Sequence, residues 1–183
     1  MQQHHLWNSA GLTLQMSVNL SGRSLHDSDL CDHIAKLLAQ WQINPEHFQL
    51  EITERALMYD PIQANQTLSQ LDAMGIKLSI DDFGTGYSSL SYIAKLPVST
   101  LKIDRAFIIN MTSNSDDLSI VSTIITLAHA LKMRVVAEGV ETGEQARLLR
   151  LLKCDEIQGF LFSPGVPAEQ IEHFLREGKS MLG

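Results

Sequence analysis

The sequence predicts an α/β fold, an incomplete (β/α)8 barrel that forms a single domain over residues 1–183. Short runs of β-branched and apolar residues alternate with longer amphipathic segments, which is typical of a parallel sheet covered by helices. Each predicted strand also carries a polar side chain at its carboxyl end. A full barrel has about 250 residues. The 183 residues present therefore predict about six of the eight βα units.

Six short runs rich in Ile, Val, Leu and Phe define the strands. In chain order, the predicted strands span 14–20, 48–53, 77–82, 100–104, 134–138 and 156–162. The polar groups at their ends are Asn19, Glu51, Asp81 with Asp82, Lys102, Glu138 and Gln158.

Helices are predicted between these strands from their capping residues and helical apolar spacing. Asp27 and Asp60 are predicted N-caps, Gly75 ends the second helix, and Thr142 with Gln145 predicts a capping box. The other predicted helices cover 88–95, 118–131 and about 168–176.

An open, doubly wound sheet is the alternative architecture. Such a sheet would gather ligand contacts at one switch point, whereas here polar groups end all six strands. No glycine fingerprint follows the first strand, so the barrel is favoured. Because an incomplete barrel exposes two sheet edges, we expect poor solubility, a homodimer or larger self-association, or completion by another chain.

The composition argues against several classes of partner. Lys and Arg number 14 against 21 Asp and Glu, a net charge of −7, and no basic run is present, so duplex nucleic acid is not expected to bind. The sequence shows neither a signal sequence nor a long apolar segment, so we expect no membrane contact from this chain. Two cysteines without C-x-x-C spacing fit a reducing compartment, and we expect a cytoplasmic location.

The strand-end groups indicate a metal site. Asn19, Glu51, Asp81, Asp82 and Glu138 supply oxygen ligands, which suit Mg²⁺ or Mn²⁺ rather than zinc. Two adjacent aspartates can bring one carboxylate between two cations, the arrangement needed for in-line displacement at a phosphate.

Lys102 is the only cation among these groups. Beside carboxylates and metal ions, it would orient a nucleophilic water or stabilise charge on a phosphate. A structural interpretation stays open, because a single strand-end carboxylate often caps a helix and the glycines in 82–86 also suit a simple turn. His129, in an apolar helix, is interpreted as a packed or capping residue rather than a ligand.

Six ordered motifs cover nearly the whole chain. They are SVNLS at 17–21, LEITE at 50–54, IDDFGTGYSSLSY at 80–92, LPVSTLKIDRAF at 96–107, VVAEGVET at 135–142 and CDEIQGFLFS at 154–163. With these motifs the sequence resembles the EAL-domain family of cyclic di-GMP phosphodiesterases. The resemblance implies a modified (β/α)8 barrel and metal-dependent hydrolysis of cyclic di-GMP to linear pGpG in bacterial signalling.

The resemblance also implies a two-metal ligand set. Asn19, Glu51 and Asp81 would hold one cation, and Asp81, Asp82 and Glu138 the second. Asp82 would therefore belong to the catalytic residues as well as to the metal ligands.

Further roles implied by the resemblance concern water, loop and substrate. Lys102 and Gln158 would position the water, Glu54 would tether the loop that starts at Asp82, and Asp104 and Glu141 would contact the substrate.

The sequence departs from the family pattern at two places. The Glu-Ala-Leu motif and the arginine that follows it lie upstream of SVNLS in the family and are absent here, and the segment 163–167 differs from the usual Ser-x-Pro-Leu-Pro. We therefore expect a shortened phosphodiesterase with weak or no turnover. The alternatives are a non-catalytic module that binds cyclic di-GMP or a protein partner, and an inactive fragment that folds through association.

Overall fold

The computed structural model describes residues 1–86 and 89–176. In this part of the chain, six parallel strands form one sheet in the order β1-β2-β3-β4-β5-β6. The strands are β1 (Met16–Leu20), β2 (Phe48–Thr53), β3 (Lys77–Phe83), β4 (Thr100–Ile103), β5 (Arg134–Ala137) and β6 (Glu156–Ile157). Strand order follows chain order, as in a barrel wound in one direction, and the predicted α/β class is confirmed.

Helices connect the strands and cover the outer face of the sheet. They are α1 (Gln2–Ser9), α2 (Gly22–Leu25), α3 (Leu30–Gln40), α4 (Glu54–Leu57), α5 (Pro61–Ala73), α6 (Leu90–Ile93), α7 (Arg105–Asn110), α8 (Ser115–Ala130), α9 (Gly143–Leu151) and α10 (Ala168–Arg176), with a short 3-10 turn at Pro45–His47. Apolar side chains from α3, α5 and α8 pack on the strands and form the core.

Burial along the sheet differs between its centre and its first edge. All four residues of β4 are buried, whereas Ser17, Val18 and Asn19 of β1 are exposed. Within the described residues, β1 and β6 each have one strand neighbour, so both are edge strands.

Local capping signals explain most of the helix boundaries. The Thr142–Gln145 capping box is confirmed, and Asp60 accepts a hydrogen bond from the Gln63 amide at the start of α5. The helix predicted from Asp27 is corrected, because Asp27 accepts a hydrogen bond from the Asp29 amide in a turn that precedes α3.

Two other predicted helices are shifted. The helix predicted at 118–131 is corrected to Ser115–Ala130, because Asn114 accepts a hydrogen bond from the Asp116 amide and starts it earlier. The helix predicted at 88–95 is observed as Leu90–Ile93, and position 88 lies outside the described residues.

The last predicted strand is the main correction to the sheet. The prediction of 156–162 is wrong beyond Ile157, because the backbone turns at Gly159, which has a φ of 155°. A Cβ at this position would lie 2.3 Å from the Val140 nitrogen, so only glycine permits this close approach. The turn leaves Gln158 at the carboxyl end of β6.

Among the described residues, no helix combines the length and apolar character that a membrane crossing requires.

Candidate metal centre and active site

Four neighbouring strands bring one lysine and three carboxylates together at the carboxyl edge of the sheet. The Lys102 Nζ lies 2.6 Å from Glu51 Oε2, 2.6 Å from Glu138 Oε1 and 3.2 Å from Asp81 Oδ1. β2, β3, β4 and β5 are consecutive in the sheet, so these side chains converge although the chain separates Glu51 from Glu138 by more than 80 residues. The ammonium is therefore surrounded by carboxylates from three other strands.

Burial makes these charge contacts strong. The Lys102 side chain is 5% exposed, and the three carboxylate side chains are 11–17% exposed. Burial alone would lower the pKa of Lys102, but hydrogen bonds to Glu138 and Glu51, together with their charges, raise its pKa above the ordinary value. Lys102 is thus a permanent cation at neutral pH and a hydrogen-bond donor, not a proton acceptor.

Glu138 receives a second donor besides Lys102. The Gln158 amide nitrogen donates a hydrogen bond to Glu138 Oε1 at 2.6 Å. Burial raises the pKa of Glu138, and the hydrogen bond and charge of Lys102 counteract that effect. Gln158 and Lys102 together fix the orientation of this carboxylate.

The Asp81–Asp82 pair owes its geometry to an irregularity in β3. The β3–β4 pairing shifts register between Ile80 and Phe83, and Asp82 adopts a φ of 53°, which is uncommon for a residue other than glycine. As a result, ligand oxygens of Asp81, Asp82 and Glu138 lie within 4.8 Å of one another. The family resemblance implied this group as the ligands of the second cation.

An unsatisfied oxygen tests whether this group suits a cation. Within the described residues, Asp81 Oδ1 is buried and accepts no hydrogen bond, although Lys102 Nζ is 3.2 Å away. Burial and the charge of Asp81 raise the pKa of Asp82, and a hydrogen bond with the Asp104 side chain raises it further. A buried oxygen that accepts no hydrogen bond, in a group with more negative than positive charge, is suited to a divalent cation with oxygen ligands.

The predicted ligands of the first cation are less closely assembled. Asn19 is paired with Glu51 in the register of β1 and β2, and its side chain is exposed at the edge strand. Glu51 instead directs one oxygen to Lys102. The structure places Asn19 and Glu51 side by side on neighbouring strands.

Glu54 connects β2 to the loop after β3. Its side chain is 3% exposed, and Oε2 accepts hydrogen bonds from the Gly84 amide at 3.0 Å and the Gly86 amide at 3.1 Å. A Cβ on Gly86 would lie 2.8 Å from Glu54 Cδ, so a larger residue at this position would displace the carboxylate. The predicted tether between Glu54 and this loop is present.

A cleft adjoins the metal ligands on the β5 and β6 side. It has a volume of about 380 Å³, and Glu138, Glu141, Gln158, Arg105 and Phe160 contribute to its wall. Glu141 lies on the wall of this cleft. Arg105 and the exposed Phe160 are not among the site residues predicted from the sequence. The position of Arg105, two residues after the end of β4, could have indicated it.

Asp104, for which the resemblance implied a substrate contact, lies beside Asp82 at the start of α7. It caps α7 by accepting a hydrogen bond from the Ala106 amide at 2.7 Å, and it also hydrogen-bonds the Asp82 side chain. It does not line the cleft, and it contacts the site through Asp82.

His129, interpreted from the sequence as a packed or capping residue, lies away from the site. His129 Nε2 is 3.0 Å from Asp155 Oδ2, an oxygen that also accepts a hydrogen bond from the Val135 amide. His129 therefore belongs to an exposed hydrogen-bond contact with Asp155 and not to the carboxylate group.

Comparison with known proteins identifies the family. The model of the EAL domain matches residues 1–165. The chain belongs to the EAL domain family. It is 44% identical over 171 residues to the Pseudomonas aeruginosa protein MucR, which is named a bifunctional diguanylate cyclase/cyclic di-GMP phosphodiesterase. That match covers 93% of the chain and 25% of MucR, so the chain spans about a quarter of the length of this relative.

Solved EAL structures have the same architecture. The MucR phosphodiesterase in complex with cyclic di-GMP matches with a TM-score of 0.90 and 44% identity, covering 93% of this chain and 69% of that one. The EAL domain of DcpA from Mycobacterium smegmatis also gives a TM-score of 0.90, with 35% identity and coverage of 97% and 81%. BlrP1 from Klebsiella pneumoniae, in its manganese and cyclic di-GMP complex, matches with a TM-score of 0.79, 31% identity and coverage of 87% and 41%. The incomplete barrel predicted from the sequence is thus a large part of an EAL barrel.

Proposed function

We propose that this EAL chain hydrolyses cyclic di-GMP to linear pGpG with two divalent cations, Mg²⁺ or Mn²⁺. The observation that carries the proposal is the convergence of Asp81, Asp82 and Glu138 around one position, with Lys102 held beside them by Glu51 and Glu138. MucR, which bears the name of such an enzyme, supports the choice of substrate.

The ligand assignment follows the strand ends. Asp81, Asp82 and Glu138 would hold one cation, and Asn19, Glu51 and Asp81 the other. Two bound cations would activate a water molecule and neutralise charge on the scissile phosphate. All five residues lie at the carboxyl edge of the sheet, which is the edge where barrel enzymes bind their substrates.

Lys102 and Gln158 have distinct tasks in this mechanism. Lys102 stays protonated, so its N–H groups would hold the attacking water by hydrogen bonds and stabilise negative charge as the phosphorus–oxygen bond forms. Gln158 would keep Glu138 in place by its 2.6 Å hydrogen bond. The water oxygen would bond to phosphorus while the bond to the ribose O3′ breaks. One proton of the water would pass to the leaving O3′, which becomes a hydroxyl, and the linear product would keep a 5′-phosphate.

Glu54 and Glu141 would act around this centre. Glu54 would keep the Gly84–Gly86 segment against the metal ligands, since both glycine amides donate to its carboxylate. Glu141, on the wall of the 380 Å³ cleft, would accept hydrogen bonds from a guanine, and Asp104 would support Asp82.

The decisive test is hydrolysis of cyclic di-GMP by the purified chain with Mg²⁺ or Mn²⁺. Glu51→Gln should reduce the rate by about a hundredfold or more, because it removes a ligand charge. Glu46→Gln, an exposed glutamate outside the site, is the matched control and should hydrolyse like the parent chain. Absence of pGpG from a folded chain that still binds cyclic di-GMP would favour the non-catalytic module.

Metal binding can be tested independently of turnover. Titration of Mn²⁺ followed by electron paramagnetic resonance should show binding to the parent chain and at least about tenfold weaker binding to Asp81→Asn. Equal Mn²⁺ affinity of the two proteins would remove Asp81 from the ligand set.

We also propose that the chain forms a homodimer or larger assembly in the cytoplasm. β1 is an edge strand with Val18 exposed, and such edges favour association. Cys31 and Cys154 are free thiols, as expected in a reducing compartment. Light scattering should give a mass at least twice that of one chain, and a monomer across the working concentration range would contradict the proposal.

A further inference from the structure

A second cleft lies at the carboxyl edge of the sheet, on the side of β1 and β2. It is formed by the segments that follow β1 and β2, has a volume of about 570 Å³, and is lined by Arg23, His26, Arg55 and Tyr59 over a floor that includes Gly22 and Thr53. We call it the arginine cleft. None of its lining residues belongs to the proposed hydrolytic site.

The charge of the arginine cleft is opposite to that of the protein. The chain has a net charge of −7, yet two arginines and a histidine line this cleft and no Asp or Glu does so in the described part. Neither Arg23 nor Arg55 forms an ion pair with any described residue, and both are exposed. Guanidinium groups that line a cleft without an ion-pair partner can bind a phosphate in bidentate fashion.

His26 and Tyr59 add an aromatic wall with available polar atoms. Both ring nitrogens of His26 are shielded from solvent and have no hydrogen-bond partner among the described residues. The Tyr59 ring lies 5.4 Å from the His26 ring, and Tyr59 is 85% exposed. An exposed aromatic ring beside cationic groups is a surface on which a nucleobase can stack.

The floor of the arginine cleft is closely packed. A Cβ on Gly22 would lie 3.2 Å from Ala56 Cβ, so α2 and α4 pack closely. Thr53 accepts a hydrogen bond from the Ala56 amide, and the Gln63 side chain donates to the His26 carbonyl. Arg23 and Arg55 therefore project from backbone segments that hydrogen bonds and packing hold in place.

We propose that the arginine cleft binds a nucleotide through its phosphate and its base, in a site separate from the metal centre. Arg23 and Arg55 bind the phosphate, the base stacks on Tyr59, and His26 hydrogen-bonds the ligand. The cleft volume is within the range of small-molecule sites. This inference does not require the chain to hydrolyse cyclic di-GMP.

The test is calorimetric titration of the full chain with GMP in EDTA and low salt. Without divalent cations, the carboxylates of the metal centre repel a phosphate, so binding measures the arginine cleft. GMP should bind at least about tenfold more tightly than guanosine or inorganic phosphate, since it alone offers both a base and a phosphate. Absence of GMP binding, or phosphate binding as tight as that of GMP, would overturn the proposal.

Variants assign the binding to these residues. The double variant Arg23→Gln/Arg55→Gln should weaken GMP binding by about tenfold or more, and Arg23→Lys/Arg55→Lys by less, because charge remains while bidentate contact is lost. Arg147→Gln/Arg150→Gln, which removes two exposed arginines of α9, is the matched control and should bind like the parent. Parent-like affinity of folded Arg23→Gln/Arg55→Gln would place GMP elsewhere and overturn the proposal. The same double variant should retain any hydrolysis of cyclic di-GMP, which separates the two sites.

Discussion

Replacing Lys102 by methionine removes the one buried ammonium from a group of buried carboxylates. The lysine is 5% exposed and contacts Glu51 and Glu138 at 2.6 Å and Asp81 at 3.2 Å. Removing one partner of a buried ion pair typically costs about 3–5 kcal/mol, because the remaining charge is left without compensation. Protonation of Glu138, whose pKa is already raised by burial, offsets part of that cost.

We therefore expect Lys102→Met to lower the free energy of unfolding by about 3 kcal/mol in metal-free protein at pH 8. For a chain of this length, that loss corresponds to a decrease in Tm of about 6–12 °C. Lys102→Met removes the hydrogen bond and the charge that counteract the effect of burial on Glu138, so the pKa of Glu138 rises further and the folded variant binds more protons than its unfolded state. Stability of the variant then falls as pH rises, and its deficit relative to the parent should shrink at pH 5.

Thermal unfolding followed by circular dichroism in EDTA at pH 8 and pH 5 measures both expectations. Lys95→Met, an exposed lysine before β4, controls for loss of a charge and should leave the Tm within about 1 °C. A Lys102→Met protein as stable as its parent at pH 8 would refute the reasoning. So would a deficit that grows at pH 5, because carboxylate repulsion must weaken on protonation.

Two further predictions concern contacts around the site. Glu54→Gln should accelerate hydrogen exchange of the Gly84 and Gly86 amides by about tenfold, because the neutral amide oxygen is a weaker acceptor than the carboxylate. The amides of the central strands should stay protected. Unchanged exchange at Gly84 and Gly86 would contradict the tether. Asp155→Asn should lower stability at neutral pH. Burial alone would raise the pKa of Asp155, but its hydrogen bond with His129 acts in the opposite direction, and the folded-state pKa is lowered overall. A group with a lowered folded-state pKa contributes stability above its ordinary value near 3.8 and loses it as pH falls through the folded pKa. The parent and Asp155→Asn should therefore converge in urea unfolding midpoint at acid pH, and a constant difference at all pH values would disprove the linkage.

The convergence of Glu51, Asp81, Lys102 and Glu138 was predictable from the sequence for a geometric reason. Parallel strands that follow chain order bring their carboxyl ends to one edge, so a polar residue at each end must face the others. Knowledge of the strand positions to within one or two residues is enough for this inference. Side-chain alternation then decides which neighbours point inward.

The details that the sequence did not predict depend on backbone irregularities. Asp82 reaches Asp81 and Glu138 because its φ is positive at a register shift, and no propensity rule predicts such a conformation for aspartate. The shortening of β6 depends on the approach of Gly159 to Val140, a contact between distant segments. Local patterns cannot reveal either feature, since both are set by tertiary contacts.

The charges of the site connect its stability with its proposed chemistry. Glu51, Asp81, Asp82 and Glu138 carry four negative charges when ionised, and Lys102 supplies one positive charge close to them. One ammonium cannot satisfy this group, and Asp81 Oδ1 is left without a hydrogen bond among the described residues. A well-packed structural site would contain fewer carboxylates, because each buried uncompensated charge destabilises the fold. Divalent cations that bind the folded state alone would therefore stabilise this arrangement, by about 2.7 kcal/mol at one hundred times their Kd. The same excess charge that weakens the metal-free fold is what would hold two cations against a phosphodiester.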